Sequence, residues 1–199
     1  MNTKKIAKGR GRPRGFDVDA ALDKAQALFH AHGYDGVGVA AIVEALGINP
    51  PSFYAAFGSK ADLFDRVLGR YAPEALPVER LLVPGARPAA ALRELLHEAA
   101  RIYTADDGAR GCLVLEHARG GAAEAAVRAR RWKEANAARL HDFLMPACPG
   151  QAAAVADYVI TVLSGMSVNA RDGMSADQLM VVADMAGLAI AVALEGVAA

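Results

Sequence analysis

From Asp17 onward, apolar residues recur three and four positions apart, and nowhere does the chain show sustained strand alternation. Asp17 is a suitable N-cap with Phe16 as a staple before it, and Ala21, Ala25, Leu28 and Phe29 form the inner side of a first helix that Gly33 closes. A second, short helix is predicted over residues 39–46, with Ile42, Ala45 and Leu46 inward and Gly47 ending it. A third starts at Pro50 and Pro51 and reaches Phe57. Ser59 caps a fourth, with Asp62 as its capping-box partner and Leu63, Phe64, Val67, Leu68 and Tyr71 as its apolar face.

Four prolines within "APEALPVERLLVPGARP", residues 72–88, then break any long helix. Beyond them Ala91, Leu92, Leu95, Leu96, Ala99, Ile102 and Tyr103 mark another amphipathic helix. Helical pattern resumes over 112–119 and 122–144, and two last helices are predicted over 152–171 and 176–194, the second opened by a Ser175/Gln178 capping box. The expectation is an all-α protein of about nine helices. Its parts are a basic arm (1–15), a small N-terminal three-helix helix-turn-helix domain (16–72), a linker (73–88) and a larger helical domain (89–199).

Composition agrees with that reading: of 199 residues, 54% are hydrophobic but only 6% aromatic, which suits close-packed Ala- and Leu-rich helices. No apolar run of membrane-spanning length is expected, and no apolar segment follows the basic N-terminus as in a secretory signal. Cys112 and Cys148 form neither metal-ligand spacing nor a disulfide framework, so a reducing cytoplasm is expected. The formal net charge of +0 hides an uneven distribution. Lys4, Lys5, Lys8, Arg10, Arg12 and Arg14 all precede the first acid, Asp17. From Asp17 to Tyr71 the acids Asp17, Asp19, Asp23, Asp35, Glu44, Asp62 and Asp65 outnumber Lys24, Lys60, Arg66 and Arg70. A cationic arm on a neutral body is the footprint of a nucleic-acid partner.

"GINPPSFYAAFGSK", residues 47–60, gives that footprint a reader. A short helix, a turn at Gly47 and a second short helix form a helix-turn-helix over about 37–56. Asn49 is a good N-cap, and the prolines stand where a helix has orphan N–H groups and φ is already helical. Phe53 and Phe57 dock the helix, leaving Ser52 and Tyr54 outward, as a recognition helix in a major groove requires.

The stretch from Phe16 to Tyr71 resembles the DNA-binding domain of the TetR family of bacterial repressors. The resemblance is carried by Ala21-Leu22, Leu28-Phe29, Gly33-Tyr34, Ile42, Gly47-Ile48, Phe53-Tyr54, Phe57, Lys60 and Leu63-Phe64, and "RGCLVLEHA" and "SVNARDGMS" resemble parts of its ligand-binding domain. It implies a homodimer, a palindromic double-stranded operator, release of DNA by an unknown small-molecule inducer, and a cytoplasmic, nucleoid-associated location. Carried over by position, Tyr54 and Lys60 contact phosphates, while Pro50, Pro51 and Ser52 lie at base edges beside Asn49 and Gly38. Gly38 stands, with Val37, where many members have Thr or Ser, and Ala40, Ala55 and Ala56 are smaller than usual. Hydrogen-bonded base reading therefore rests on Ser52 and Tyr54. "RGRP" resembles an AT-hook core, which places Arg10, Arg12 and Arg14 along a minor groove.

The family's pocket lies among the later helices, which makes Tyr103, Cys112, His117, Trp132, Asn136, Phe143 and Tyr158 candidate ligand contacts. Some members with a "GCL" stretch sense electrophiles or oxidants through that cysteine, and Arg110 nearby is expected to lower the Cys112 pKa. The last two helices offer Val159, Val162, Leu163 and Met166, then Leu179, Val182, Ala186 and Ile190, as faces of a dimeric four-helix bundle. Enzyme readings fail on spacing: Cys112, Glu116 and His117 fall on poorly matched helix faces, and the five histidines show no metal-binding pattern. Neither cofactor nor membrane is expected. An interaction or sensor module of the same fold that lost operator binding is the alternative, motivated by the small residues Ala40, Ala55 and Ala56.

Overall fold

Asp17 starts the first helix by accepting the N–H groups of Asp19 and Ala20 at 3.0 and 3.1 Å, so two of the four orphan donors of its first turn are satisfied. The computed structural model describes residues 17–119 and 123–195; Phe16 and the arm residues Arg10, Arg12 and Arg14 lie outside them. Among the described residues all regular structure is helical: α1 (Val18–Gly36), α2 (Val39–Leu46), α3 (Pro50–Phe57), α4 (Lys60–Glu74), the one-turn α5 (Val78–Leu81), α6 (Pro88–Tyr103), α7 (Leu113–Ala118), α8 (Ala123–Leu144), α9 (Ala152–Arg171) and α10 (Ala176–Glu195). α4 runs two residues past the expected end at 72, through Pro73. A proline so late in a helix forfeits a single ladder bond, and the linker beyond it carries α5.

The small N-terminal domain is built around Phe29, Ile42, Phe53, Phe57 and Phe64, all fully or almost fully buried. Gly47, with φ 69° and ψ 33°, ends α2 in the left-handed region and lets the chain turn into α3 within three residues. α1 does not stop at Gly33, where the pattern places its end. It is interrupted there, with φ 72° and ψ 164°, and resumes for one short turn to Gly36.

The two last helices correct the expected dimer faces. Val159, Leu163, Met166, Leu179, Ala186 and Ile190 are buried inside the protomer, against α6, α8 and each other, and Val162 is half-buried; of the eight only Val182 is exposed. A different stripe of α10 faces outward: Val181, Met185, Leu188 and Val192, with Met185 at 67% and Leu188 and Val192 at 70% exposure. Two stripes of the same three-and-four spacing run along this helix, and periodicity alone does not say which one the protomer covers. α9 and α10 also pass the length and composition test for crossing a membrane, contrary to the sequence expectation, because long helices of Ala, Val and Gly carry few charges without forming an unbroken run of large apolar residues. In α10 the surplus is this outward stripe.

The two halves of the molecule meet along α1 against α7 and α4 against α7 and α8. His117 of α7 is central: its Nε2 accepts the Tyr34 N–H at 2.8 Å, its Nδ1 lies 2.8 Å from the Leu113 carbonyl oxygen, and its ring packs on Phe64. A carbonyl can only accept, so Nδ1 carries the proton and the imidazole is neutral. Arg171 reaches from α9 to donate to the carbonyls of His30 and Arg110. Arg128 of α8 pairs with Asp62 and Asp65 of α4 and with Glu124.

Burial lowers the pKa of both His30 and His117 below the ordinary 6.5, with the Arg171 charge lowering each further. Both are neutral in the fold, and the unfolded chain takes up protons first as the pH falls. Their contribution to stability is therefore complete above about pH 6.5 and is lost as the pH drops through the folded-state values. The urea midpoint should decline between pH 7 and pH 5.5, and NMR titration should show two histidines with values below 6.5; a midpoint that rises over that interval would contradict the assignment.

Candidate nucleic-acid interface and effector cavity

α3 is anchored by its aromatic residues and presents its first turn to solvent. Phe53 and Phe57 are buried, whereas Ser52 and Tyr54 are exposed, Tyr54 to 52%, with its ring set edge-on against Phe53. The prolines occupy the first two helical positions, so the first N–H of the helix is that of Ser52, which donates to Asn49 Oδ1 at 2.9 Å; the Phe53 N–H then donates to the Asn49 carbonyl. The first turn of α3 therefore has no backbone donor to spare for a phosphate. What this turn offers to a groove is the Ser52 hydroxyl, the Tyr54 phenol, the remaining Asn49 amide hydrogens and the apolar edges of Pro50 and Pro51. Gly38 caps α2 without a side-chain bond and borders open space.

Lys60 does more than a free phosphate contact would. Its ammonium donates to the carbonyls of Tyr34 and Val37, both at 3.0 Å, and lies 3.9 Å from the centre of the Tyr34 ring. It satisfies carbonyls at the end of α1 and keeps one donor of three. The other cations of this domain are committed as well. Lys24 donates to the Ala45 carbonyl, Arg70 pairs with Asp19 and Asp23, and Arg66 lies over the Phe57 ring. Of these four only Arg70 is paired with carboxylates; the others keep their charge, but Lys24 and Lys60 are held in place by the fold.

In the larger domain, the end of α4 and helices α5 to α9 enclose a cavity of about 40 Å³. Its walls are Ala72, Ala75, Leu76, Val78, Leu95, Val114, Leu115, Leu140, Ile160 and Leu163, and its polar groups come from Tyr103, Cys112, Lys133 and Asn136. The Tyr103 hydroxyl is wholly buried without a hydrogen-bond partner, with Cys112 and Tyr71 near it. An unpaired buried hydroxyl is costly, and a ligand oxygen entering here would relieve it. Burial pushes the Cys112 thiol up, opposite to the expectation. The Arg110 guanidinium is turned to the Ala170 and Met174 carbonyls and to Asp107. At neutral pH Cys112 is a protonated thiol, a poor nucleophile.

Of the seven candidate ligand residues, then, the structure brings together Tyr103, Cys112 and Asn136. The other four are elsewhere. His117 faces α1; Trp132 packs half-buried beside Gly69 of α4; Phe143 lines an open groove of about 700 Å³ between α5 and the end of α8; and Tyr158 stands on the outer side of α9 near α10. Sequence reasoning missed Lys133 and the Ala72–Ala75 end of α4. Helix spacing held a signal for Lys133, three residues before Asn136 on the same face of α8.

Residues 21–67 match the family described as "Bacterial regulatory proteins, tetR family". Over 196 residues, 98% of this chain and 100% of the relative, the sequence is 43% identical to the HTH-type transcriptional repressor BdcR of Escherichia coli strain K12. It is 32% identical to the HTH-type transcriptional repressor ComR of the same organism, over 92% of each chain. Among solved structures, a cysteine mutant of the TetR family transcriptional regulator CifR, complexed with 26-bp double-strand operator DNA, superposes with a TM-score of 0.80 at 34% identity, over 89% of this chain and 99% of that one. The chain belongs to the TetR family of bacterial transcriptional regulators.

Proposed function

We propose that this chain represses transcription as a homodimer in the cytoplasm, bound to a palindromic operator through α3, and leaves the DNA when a small molecule occupies the interior cavity. It acts by binding, not catalysis. The observation that carries this reading is the first turn of α3, which holds Ser52 and Tyr54 outward on a helix fixed by Phe53 and Phe57. The named functions of BdcR and ComR and the operator complex of CifR support it. Tyr54 reaches a phosphate, Lys60 follows with its one free donor, and Ser52 with Pro50 and Pro51 meets base edges.

The experiment is enrichment of duplexes from a random pool by the full-length protein, followed by affinity measurement at fixed salt. A palindromic consensus is expected. Tyr54→Ala should weaken binding to that duplex by on the order of 1 kcal/mol with no change in melting temperature. Unchanged affinity would show that α3 lies in the groove in another orientation.

A second copy covers the α10 stripe in this reading. An exposed apolar stripe of four residues, on a helix whose other face packs against α6 and α9, suits a four-helix interface made of α9 and α10 from each protomer. Leu188→Asp should yield a monomer in sedimentation at micromolar concentration and abolish binding to the palindrome. Ile190→Asp would instead damage the protomer core, so a dimeric Leu188→Asp protein would overturn this choice of face.

The arm supplies cationic contacts that the committed lysines and arginines of the domain body do not, with Arg10 and Arg12 in the minor groove and Arg14 near it. Each phosphate neutralised on duplex DNA adds about 0.9 to the slope of log K against log salt. Removing residues 1–14 should flatten that slope by a few units, while parallel salt titrations would mean the arm plays no part.

A further inference from the structure

We propose that His117 is the positioning residue that ties the cavity wall to the helix-turn-helix: by accepting the Tyr34 N–H, its Nε2 sets where residues 34–37 enter α2, and so where α3 lies. The inference rests on the cavity being the effector site. It begins with α7, which is only six residues long and works on two sides. Val114 and Leu115, with Cys112 at its N-cap, form cavity wall, while His117 points at α1. The position of α7 is fixed from α4 and α9: the Leu113 N–H donates to the Tyr71 hydroxyl, and the Ser167 hydroxyl joins the Cys112 N–H to the Glu116 carboxylate. A molecule that widens the cavity displaces these contacts and α7 with them.

On the far side, Tyr34 gathers the groups that shape the entry to α2. Its N–H belongs to His117, its carbonyl to Lys60 and the Val37 N–H, and its ring to Lys60, Phe29 and Phe64. The Gly33 break frees the Tyr34 N–H from the helical ladder of α1, which is what makes it available to a side chain of another helix. A hydrogen bond to backbone is directional, so a shift of α7 moves the acceptor and the main chain at Tyr34 follows it. Lys60, bound to the Tyr34 and Val37 carbonyls, carries the displacement on to the start of α4.

Two amide replacements separate the ring nitrogens. The side-chain oxygen introduced by His117→Gln reaches the Nε2 position and can accept the Tyr34 N–H. The shorter amide of His117→Asn reaches only the Nδ1 position and can still donate to the Leu113 carbonyl. Both are compared with the natural full-length protein, after sedimentation shows the same assembly state. The readouts are hydrogen exchange at the Tyr34 amide and affinity for the enriched palindromic duplex at fixed salt, without any effector. His117→Gln should stay within about twofold of the natural affinity, and His117→Asn should lose about five- to tenfold while its Tyr34 amide exchanges faster. Equal affinities for the two variants, or fast Tyr34 exchange in His117→Asn without loss of affinity, would overturn the proposal. Should His117→Asn fold poorly, His117→Ala, which also removes the Leu113 bond and the ring, is compared with His117→Gln, and equal affinities of these two would again overturn the proposal. A protein with no effector would still show this dependence on residue 117, so the two readings fail separately.

Discussion

The main-chain N–H of Tyr34 is bonded across the boundary between the two halves of this molecule, beside the ion pairs of Arg128 and the Arg171 bond to His30. A helix that ran on through Gly33 would use that donor internally, and the bond from α1 to α7 would be lost. Because Gly33 adopts φ 72° and ψ 164°, the donor turns outward and His117 takes it at 2.8 Å. A buried N–H without a partner costs on the order of 1–3 kcal/mol, so the bond constrains the halves more strongly than its net strength suggests. Burial at this joint, with the Arg171 charge, lowers the His117 pKa, which agrees with a neutral imidazole accepting at Nε2.

The electrostatics of the small domain follow a related pattern. Lys24 and Lys60 are drawn onto backbone carbonyls at helix junctions and Arg70 onto carboxylates, which stiffens the helix-turn-helix; only Arg70 is neutralised, and between Asp17 and Tyr71 the acids outnumber the lysines and arginines. Asn49 and the two prolines do the same for α3, leaving a rigid first turn with side chains as its only contacts. A domain of this kind positions well and attracts weakly, which gives the basic arm its place in the account.

Much of this was legible in the sequence. Caps at Asp17, Asn49, Ser59 and Ser175, the glycine turn at Gly47 and the aromatic spacing of Phe53 and Phe57 each have a local cause that spacing reveals. What stayed hidden depends on contacts distant in sequence. His117 and Tyr34 are 83 positions apart, so nothing local in the sequence reveals the bond between them. The burial of Ile190 and Leu179, against the exposure of Leu188 and Met185, depends on where α6 and α9 lie, not on α10 itself. Position in the family's pattern puts Lys60 at a phosphate but does not reveal the two carbonyls that also hold it, which lie 26 and 23 positions away in sequence. Cavity walls from six helices could be recognised only in part, through Tyr103, Cys112 and Asn136.

The central claim is that two copies of this fold hold their α3 helices in successive major grooves. Its most direct measurement is the separation of spin labels attached at position 44 on the exposed side of α2, introduced as Glu44→Cys in the full-length protein bound to its enriched duplex and referred to α3 through the fixed α2–α3 geometry. The account predicts a narrow distribution that places the two α3 helices about 34–36 Å apart, one turn of B-DNA. Absence of a dipolar signal on DNA, or a distribution as broad as that of the free protein and centred away from one helical turn, would contradict it.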